Sequence, residues 1–369
     1  MPKIESVRVL MVDLKPGVPR SDAIQSFVSQ ETPIVVVTDS DGAQGFGYSY
    51  TIGTGGSSVV RLITDHLAPQ LIGREPAHLE RLWFELKRSV NATTVGAISS
   101  LALAAIDIAL WDLRCKHAGV PLHILAGGAR DSAPLYSTEG GWLHVETPAL
   151  VEDALKVREQ GFGGTKIKVG KTHVSEDVER LTAVRDAVGP DWEIMTDFNQ
   201  SQTLPEAIRR AHCFEPFNLA WIEEPMPADD IVAHAKLAAA TAIPLAVGES
   251  MYSLSQFANY LTQGACTIVQ ADVARIGGIT PWLKVAHMAE AMNVPICPHF
   301  LMELHASLVC AVPNGLWVEY IPQLEDVLVD MPTIQGGVIT PSDRPGVGLE
   351  WDMAAVEKFK VDGADIVLS

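Results

Sequence analysis

From Ala133 to Glu319 the chain repeats one unit, a short apolar strand followed by an amphipathic segment long enough for a helix. The strands read Ala133 to Tyr136, Thr165 to Val169, Glu193 to Asp197, Ala220 to Glu223, Pro244 to Glu249, Ile268 to Asp272, Pro295 to His299 and Leu316 to Glu319. Successive strand ends lie roughly 20 to 33 residues apart, the length of a strand plus a crossover helix. Helical crossovers return the chain to the same end of the sheet, so neighbouring strands run parallel. Eight such strands predict an α/β fold closed into a TIM-type (β/α)7-8 barrel, which needs about 250 residues. A chain of 369 residues leaves room for one smaller domain.

That smaller domain reads at the N-terminus. Lys3 to Val12 alternates through Val7, Val9 and Met11, and Pro33 to Thr38 is β-branched. Asp39-Ser40-Asp41-Gly42 then turns the chain into Gln44 to Tyr50, completing a three-stranded antiparallel meander. Lys15 to Gln30 and the Gly-rich Thr51 to Ser58 read as its loops. Leu79, Leu82, Trp83, Leu86 and Val90 form one helical stripe. Ala97 to Lys116 is apolar nearly all round, as suits a helix packed between domains, with Asp107, Trp111 and Asp112 in structural roles. Thr147-Pro148 reads as an N-cap with proline at the first helical position. The expected division is an α+β capping domain over 1–126, a barrel over 127–322, and a segment over 323–369 returning to the capping domain.

Composition narrows the partners. A net charge of −18 argues against nucleic acid and anionic membrane surfaces, and an anionic substrate would need locally placed cations or a metal. The apolar run Ala97 to Leu110 is interrupted by Asp107 and falls short of the about 20 residues of a membrane span. Cys115, Cys213, Cys266, Cys297 and Cys310 show no CxxC or zinc-type spacing, and residues 1–5 begin a strand without an apolar signal core. A cytoplasmic protein with reduced thiols is expected.

The chemistry gathers at the strand ends, where barrels place their functional groups. Asp197, Glu223 and Glu249 close three consecutive strands, so they are neighbours around the rim. Three crowded carboxylates raise one another's pKa unless a cation neutralises them, and an oxygen-only donor set favours Mg2+. Such acids can also cap the next helix or meet surface lysines, but three in succession facing a paired-lysine strand argue against that. Lys166 and Lys168, two apart on one strand, share a face. A lysine beside a metal and a second ammonium is expected to have a lowered pKa, as a general base requires. Asp272 and His299 end adjacent strands and are expected to pair, the acid fixing the imidazole tautomer. Cys297 and His305 read as packing residues. Glu319 ends the last strand, where a protonated carboxyl would donate to a developing oxyanion. The set suits removal of the proton next to a carboxylate, through an enediolate.

Lys166-Ile167-Lys168, Asp197-Phe198-Asn199, Trp221-Ile222-Glu223-Glu224-Pro225, Gly248-Glu249, Asp272 with Gly277-Gly278, Pro298-His299 and Glu319 together resemble the mandelate racemase subgroup of the enolase superfamily. The resemblance covers essentially the whole chain. It implies Mg2+ held by Asp197, Glu223 and Glu249, with Lys168 and the Asp272–His299 dyad as the acid/base catalysts. It also implies that Lys166 holds the substrate carboxylate, that Glu319 hydrogen-bonds to it, and that Asn199 lies near the 2-hydroxyl. The two N-terminal loops would cover the site and select the substrate, and a dimer-based homo-oligomer such as an octamer is implied. The stretch from Ser137 to His144, with Trp142, is similar to acid-sugar dehydratases of the galactarate/talarate kind. Residues 47–51, with Tyr50, also look like the 3,6-anhydrogalactonate cycloisomerases. Tyr50 and Trp142 join Asn199 as candidate substrate-binding residues. One departure is Ala271 before Asp272, where relatives commonly have proline.

The expected activity is a lyase reaction, dehydration of an acid sugar to a 2-keto-3-deoxy acid. Racemisation or epimerisation, and cycloisomerisation of a hydroxy or sugar acid, are the isomerase alternatives. An imine-forming lysine enzyme needing no metal, and a non-catalytic protein that binds a carboxylate sugar through Mg2+, are the other classes.

Overall fold

Two sheets organise the chain in the computed structural model, which describes residues 2–369. The first is built at the N-terminus from β1 (Ile4–Leu14), β4 (Gln30–Asp39) and β5 (Gln44–Tyr48), paired antiparallel in that order. The turn between β4 and β5 closes on Asp39, whose Oδ1 accepts from the backbone N–H groups of Asp41 and Ala43 at 3.0 Å each. The segment read as the first loop carries a small hairpin, β2 (Arg20–Ser21) and β3 (Ser26–Phe27). The second loop runs into helix α1 (Gly56–Leu62).

Helix α2 (Leu79–Ser89) buries the expected stripe of Leu79, Leu82, Trp83 and Leu86, and Val90 closes its end. Helix α3 (Ala97–Ala118) is buried on every side from Ser99 to Leu113, since it lies between the two sheets' domains. Its polar residues are anchors. Asp107 accepts from the backbone N–H of Thr280 (2.9 Å) and from its hydroxyl (2.7 Å), and Trp111 Nε1 donates to the same hydroxyl at 2.9 Å. Asp112 accepts from the backbone N–H groups of Phe46 and Val347. Trp83 Nε1 donates to Gly277 O at 2.9 Å. The Gly277-Gly278 turn is therefore where the cap docks on the barrel. Burial pushes the Asp107 carboxyl up to about 7, against the pull of its bonds from Thr280.

After the short α4 (Leu122–Leu125) the barrel begins. Its strands are β6 (Ala133–Ser137), β7 (Gly164–Lys168), β8 (Glu193–Asp197), β9 (Trp221–Glu223), β10 (Leu245–Val247), β11 (Ile268–Val269) and β12 (Val318–Tyr320). Between them run α5 (Thr147–Glu159), α6 (Val174–Val188), α7 (Leu204–Phe214), α8 (Ile231–Ala238), α9 (Leu254–Thr262), α10 (Ile279–Ala291) and α11 (Met302–Ala311). Strands β6 to β11 pair in parallel, each with the next in sequence, and β12 pairs parallel with β6. The ring closes through isolated bridges from Val269 to Ile296 and from Ile296 to Gly315.

The seventh strand, expected over Pro295 to His299, is thus reduced to the two bridges of one residue, Ile296, because Pro295 and Pro298 have no N–H to give the ladder. Pro244 likewise trims the start of β10. At its end Gly248 turns the chain at φ +150°, where an added Cβ would lie 2.6 Å from the backbone of Gln270. Glu249, Asp272 and His299 therefore stand on the loops just beyond their strands. Thr147 is the first residue of α5 rather than its cap, since Leu150 N–H already donates to Glu146 O at 3.0 Å.

The C-terminal segment has one unanticipated feature. The hairpin of β13 (Thr333–Gln335) and β14 (Val338–Thr340) turns at Gly336-Gly337 and adds antiparallel to β6. Helix α12 (Met353–Phe359) then leads to β15 (Lys360–Leu368), which pairs antiparallel with β1 and completes a four-stranded capping sheet, β15-β1-β4-β5. Among the described residues no helix is long and apolar enough to cross a membrane.

Candidate active site

The register of the barrel lines up the first set of charges. Lys168 on β7 pairs with Asp197 on β8, which pairs with Glu223 on β9, so the three side chains form a row across adjacent strands. The Lys168 ammonium bonds to Asp197 Oδ2 and lies 5.3 Å from the centre of the Trp142 ring. Trp142 is held there by the tight turn before it, where a Cβ on Gly141 would collide with Lys166 O. One step deeper, Lys166 Nζ bonds to Glu223 Oε1 at 2.8 Å and Glu319 Oε1 at 2.7 Å, with Asp197 Oδ2 at 3.9 Å. Both lysines face the barrel interior and are buried.

Asp197, Glu223 and Glu249 offer one oxygen each within 4.8 Å of one another. Asp197 Oδ1 accepts from Asn199 N–H, and Glu223 Oε2 accepts from Gln270 Nε2 (2.7 Å) and Trp221 Nε1 (3.1 Å). Buried oxygens are left without partners at Glu249 Oε2, Asn199 Oδ1 and Gln270 Oε1. Buried acceptors without donors are costly, and a cation with hard-oxygen preference is what such a set fits.

The ionisation of the cluster follows from sharing two ammonium groups among several acids. Burial pushes Glu223 up to about 7, with Lys166 opposing and Asp197 adding to the rise. Burial acts the same way on Asp197, but Lys168 and Lys166 outweigh it and hold that carboxyl below its ordinary value. For Lys168, burial lowers the pKa and Asp197 raises it, and the net direction is upward. The lowered value is expected beside a metal as well as a second ammonium, and the acids by themselves move it the other way. Glu319 differs from expectation too. Burial raises it, yet Lys166 and His299 hold it well below the carboxylate range. It accepts from Thr138 Oγ1 (2.6 Å) and Phe300 N–H (2.8 Å), so it is an ionised acceptor that fixes Lys166, not a protonated donor.

On the far side, His299 Nδ1 lies 3.0 Å from Asp272 Oδ2, forming the expected dyad. Nε2 lies on the side of the metal-binding acids, 3.2 Å from Glu249 Oε2 but off the ring N–H direction, so the two are in contact without a hydrogen bond. Burial lowers the imidazole pKa, while Glu249 and Asp272 raise it further than burial lowers it. Asp272 is itself fixed by Ala274 N–H (2.7 Å) and by the Tyr50 hydroxyl (2.6 Å), which also accepts from Arg275 Nε at 3.1 Å. Tyr50, a candidate for substrate contact, has its hydroxyl engaged behind the dyad. His305 is a layer further back: its Nδ1 donates to Phe300 O and its Nε2 accepts from Val273 N–H, fixing a neutral ring. Cys297 is buried, its thiol directed to Trp317 O.

Of the candidate residues, Lys166, Lys168, Asp197, Glu223, Glu249, Asp272, His299 and Glu319 come together with Asn199 and Trp142 in one buried cluster. Reading the sequence missed Thr138, Gln270 and Arg275. Gln270 had a signal, since in the strand expected over Ile268 to Asp272 it precedes Asp272 by two and so falls on the same face.

Two family models cover most of the chain: an enolase C-terminal domain-like model over residues 149–355 and a mandelate racemase/muconate lactonizing enzyme N-terminal domain over residues 5–127. The chain belongs to the enolase superfamily. It is 36% identical to the L-talarate/galactarate dehydratase of Salmonella typhimurium, over 94% of this chain and 88% of that one. It is 33% identical to the 3,6-anhydro-alpha-L-galactonate cycloisomerase of Streptomyces coelicolor, over 89% and 91% respectively. The crystal structure of an L-talarate dehydratase from a Polaromonas species, complexed with Mg and L-glucarate, superposes with TM-score 0.94 at 35% identity, covering all of both chains.

Mg2+ is the cofactor of this enolase-superfamily enzyme, and the oxygen-only triad with its free buried acceptors fits it. Binding should register in stability as well as activity. Mg2+ at a hundredfold excess over its Kd should raise the unfolding free energy of the metal-free protein by about 2.7 kcal/mol. Thermal unfolding with EDTA and with Mg2+ checks this, and Glu249→Gln should shrink the increment.

Proposed function

We propose that this enzyme dehydrates an acid sugar to a 2-keto-3-deoxy acid. The supporting observation is that two proton-transfer groups, the Lys168 ammonium and the Asp272-bound His299 imidazole, flank one acidic triad from different sides of the ring. Relatives named L-talarate/galactarate dehydratase and arabinonate dehydratase agree with this reading, while others are named cycloisomerases.

In this reading Asp197, Glu223 and Glu249 hold Mg2+, and Lys166, positioned by Glu319, anchors the substrate carboxylate. Bound Mg2+ supplies the positive charge that stabilises the enediolate and offsets the acids beside Lys168. Lys168, as the free amine, takes the C2 proton, and the electron pair moves into the enediolate. His299, protonated on Nε2, gives that proton to the 3-hydroxyl as the C3–O bond breaks and water leaves. The resulting enol takes a proton at C3 and becomes the ketone. Asp272 and Tyr50 hold the imidazole so that Nδ1–H stays on the carboxylate and Nε2 faces the substrate.

The same pair of groups favours a second reading, in which His299 returns a proton to the opposite face and the product is an epimer. A panel of mono- and diacid sugars with Mg2+ in D2O, followed by NMR, separates them. Loss of the C2 proton with appearance of a 3-deoxy-2-keto product supports dehydration. Deuterium at C2 with inversion and no elimination would replace it with epimerisation, and a product isomeric with the substrate, formed by expulsion of a ring oxygen, with cycloisomerisation.

A further inference from the structure

The hairpin of β2 and β3 sits on the mouth of the barrel, beside Lys168. Ser21 O accepts from Leu143 N–H at 3.0 Å, next to Trp142, and Phe27 packs edge-on against the Trp142 ring with centroids 5.6 Å apart. On the other side, Ala23 lies against Gly170, two residues past Lys168, where an added Cβ would be 3.3 Å from the Ala23 methyl. Asp22 stands between these two anchored neighbours. Its Oδ1 accepts from the backbone N–H groups of Ile24 (2.7 Å) and Gln25 (2.8 Å), which fixes the turn of the hairpin. Its Oδ2 is buried and has no partner, and the residue is only 7% exposed. An acceptor left this way in the interior carries a desolvation cost unless a donor reaches it.

The other charges of the two covering loops are accounted for. Lys15 is exposed, and residues 51–58 carry no charged side chain. Arg20 is buried, ion-paired with Glu139, and donates also to Gln323 Oε1 (3.0 Å) and Pro322 O (3.2 Å). Of the two cations of these loops Arg20 is buried and engaged and Lys15 is exposed, while one carboxylate oxygen of Asp22 is buried beside the hairpin's anchors without a partner. In the acid-sugar reading the reacting carboxylate sits with Lys166, one step deeper than Lys168, which leaves the hairpin beside Lys168 to the substrate's other end.

We propose that Asp22 determines specificity: its free Oδ2 accepts a hydrogen bond from a hydroxyl at the far end of the substrate and disfavours a second carboxylate there. The inference rests on the acid-sugar reading above and names the substrate class within it, a monocarboxylate with a neutral, hydroxylated far end. An unpaired carboxylate rejects a like charge more strongly than it selects among neutral groups.

The test measures kcat and KM for C2 exchange and product formation, with Mg2+ in D2O, on matched hexonate and hexarate pairs such as D-galactonate and galactarate. The wild type should favour the monoacid by at least tenfold in kcat/KM. Asp22→Asn, which keeps the Oδ1 acceptor and the hairpin turn, should reduce that preference at least tenfold, chiefly through KM. Asp22→Ala should shift the ratio in the same direction. A wild type that favours diacids, or an Asn variant that weakens both substrates alike, would overturn the proposal. So would a shift seen with Ala and not with Asn, which would assign the effect to the turn. Absence of C2 exchange with every acid sugar in the wild type would instead remove the parent reading, and this one with it.

Discussion

Lys168→Ala is expected to lower kcat/KM about a thousandfold and to abolish exchange of the substrate's C2 proton, within the range that a positioned general base contributes. The side chain is buried, its ammonium held between Asp197 and the Trp142 ring, so no solvent base can take its place without entering this buried cluster. Loss of the cation also leaves Asp197 short of a partner. Breaking a buried pair by removing one member typically costs about 3–5 kcal/mol. Lys166 at 3.9 Å and bound Mg2+ remain to neutralise that acid, so the variant should fold in the metal's presence and lose much more stability in EDTA. Thermal unfolding under both conditions, beside the exchange assay, separates a chemical loss from a structural one. Exchange within tenfold of wild type would remove Lys168 from the proton transfer. An imine-forming lysine would also fail on this substitution, but it would ignore EDTA and be trapped by borohydride with substrate.

Much of this site was legible because barrel strands advertise themselves locally. The alternation of Lys166, Ile167 and Lys168 states that two ammonium groups share an interior face, and the register of β7, β8 and β9 carries Lys168, Asp197 and Glu223 into one row. The exact bounds of later strands were less legible, because proline and glycine decide them by removing a donor or turning the chain, as at Pro295, Pro298 and Gly248. Charge states were not legible at all. Glu319 reads from its position as a candidate proton donor, but Lys166, more than 150 residues earlier in the chain, holds it ionised. Tyr50 and Asp22 show the same limit. Both lie in the N-terminal domain, and their meaning comes from what they meet on the barrel: the Asp272 carboxylate for one, the rim beside Lys168 for the other.

His299→Asn should split the reaction. If Lys168 takes the C2 proton and His299 assists departure of the 3-hydroxyl, the variant should still exchange C2 deuterium at a rate near that of wild type. Formation of the 3-deoxy-2-keto product should fall by about 10²–10⁴, the usual contribution of a general acid. Asp272→Asn should reproduce much of that loss. The imidazole would no longer face a carboxylate at 3.0 Å, and the partner that fixes its tautomer and raises its pKa would be gone. The sign of the pH dependence follows from the same contact. Elimination needs the imidazolium, so it is retained below the raised His299 pKa and falls as pH climbs through it. Exchange needs the neutral Lys168 amine and does not fall over that range. Following both by NMR across pH in one set of samples gives a direct reading, since the two rates should diverge as pH rises. If His299→Asn removed exchange and elimination together, His299 rather than Lys168 would be the group that takes the C2 proton.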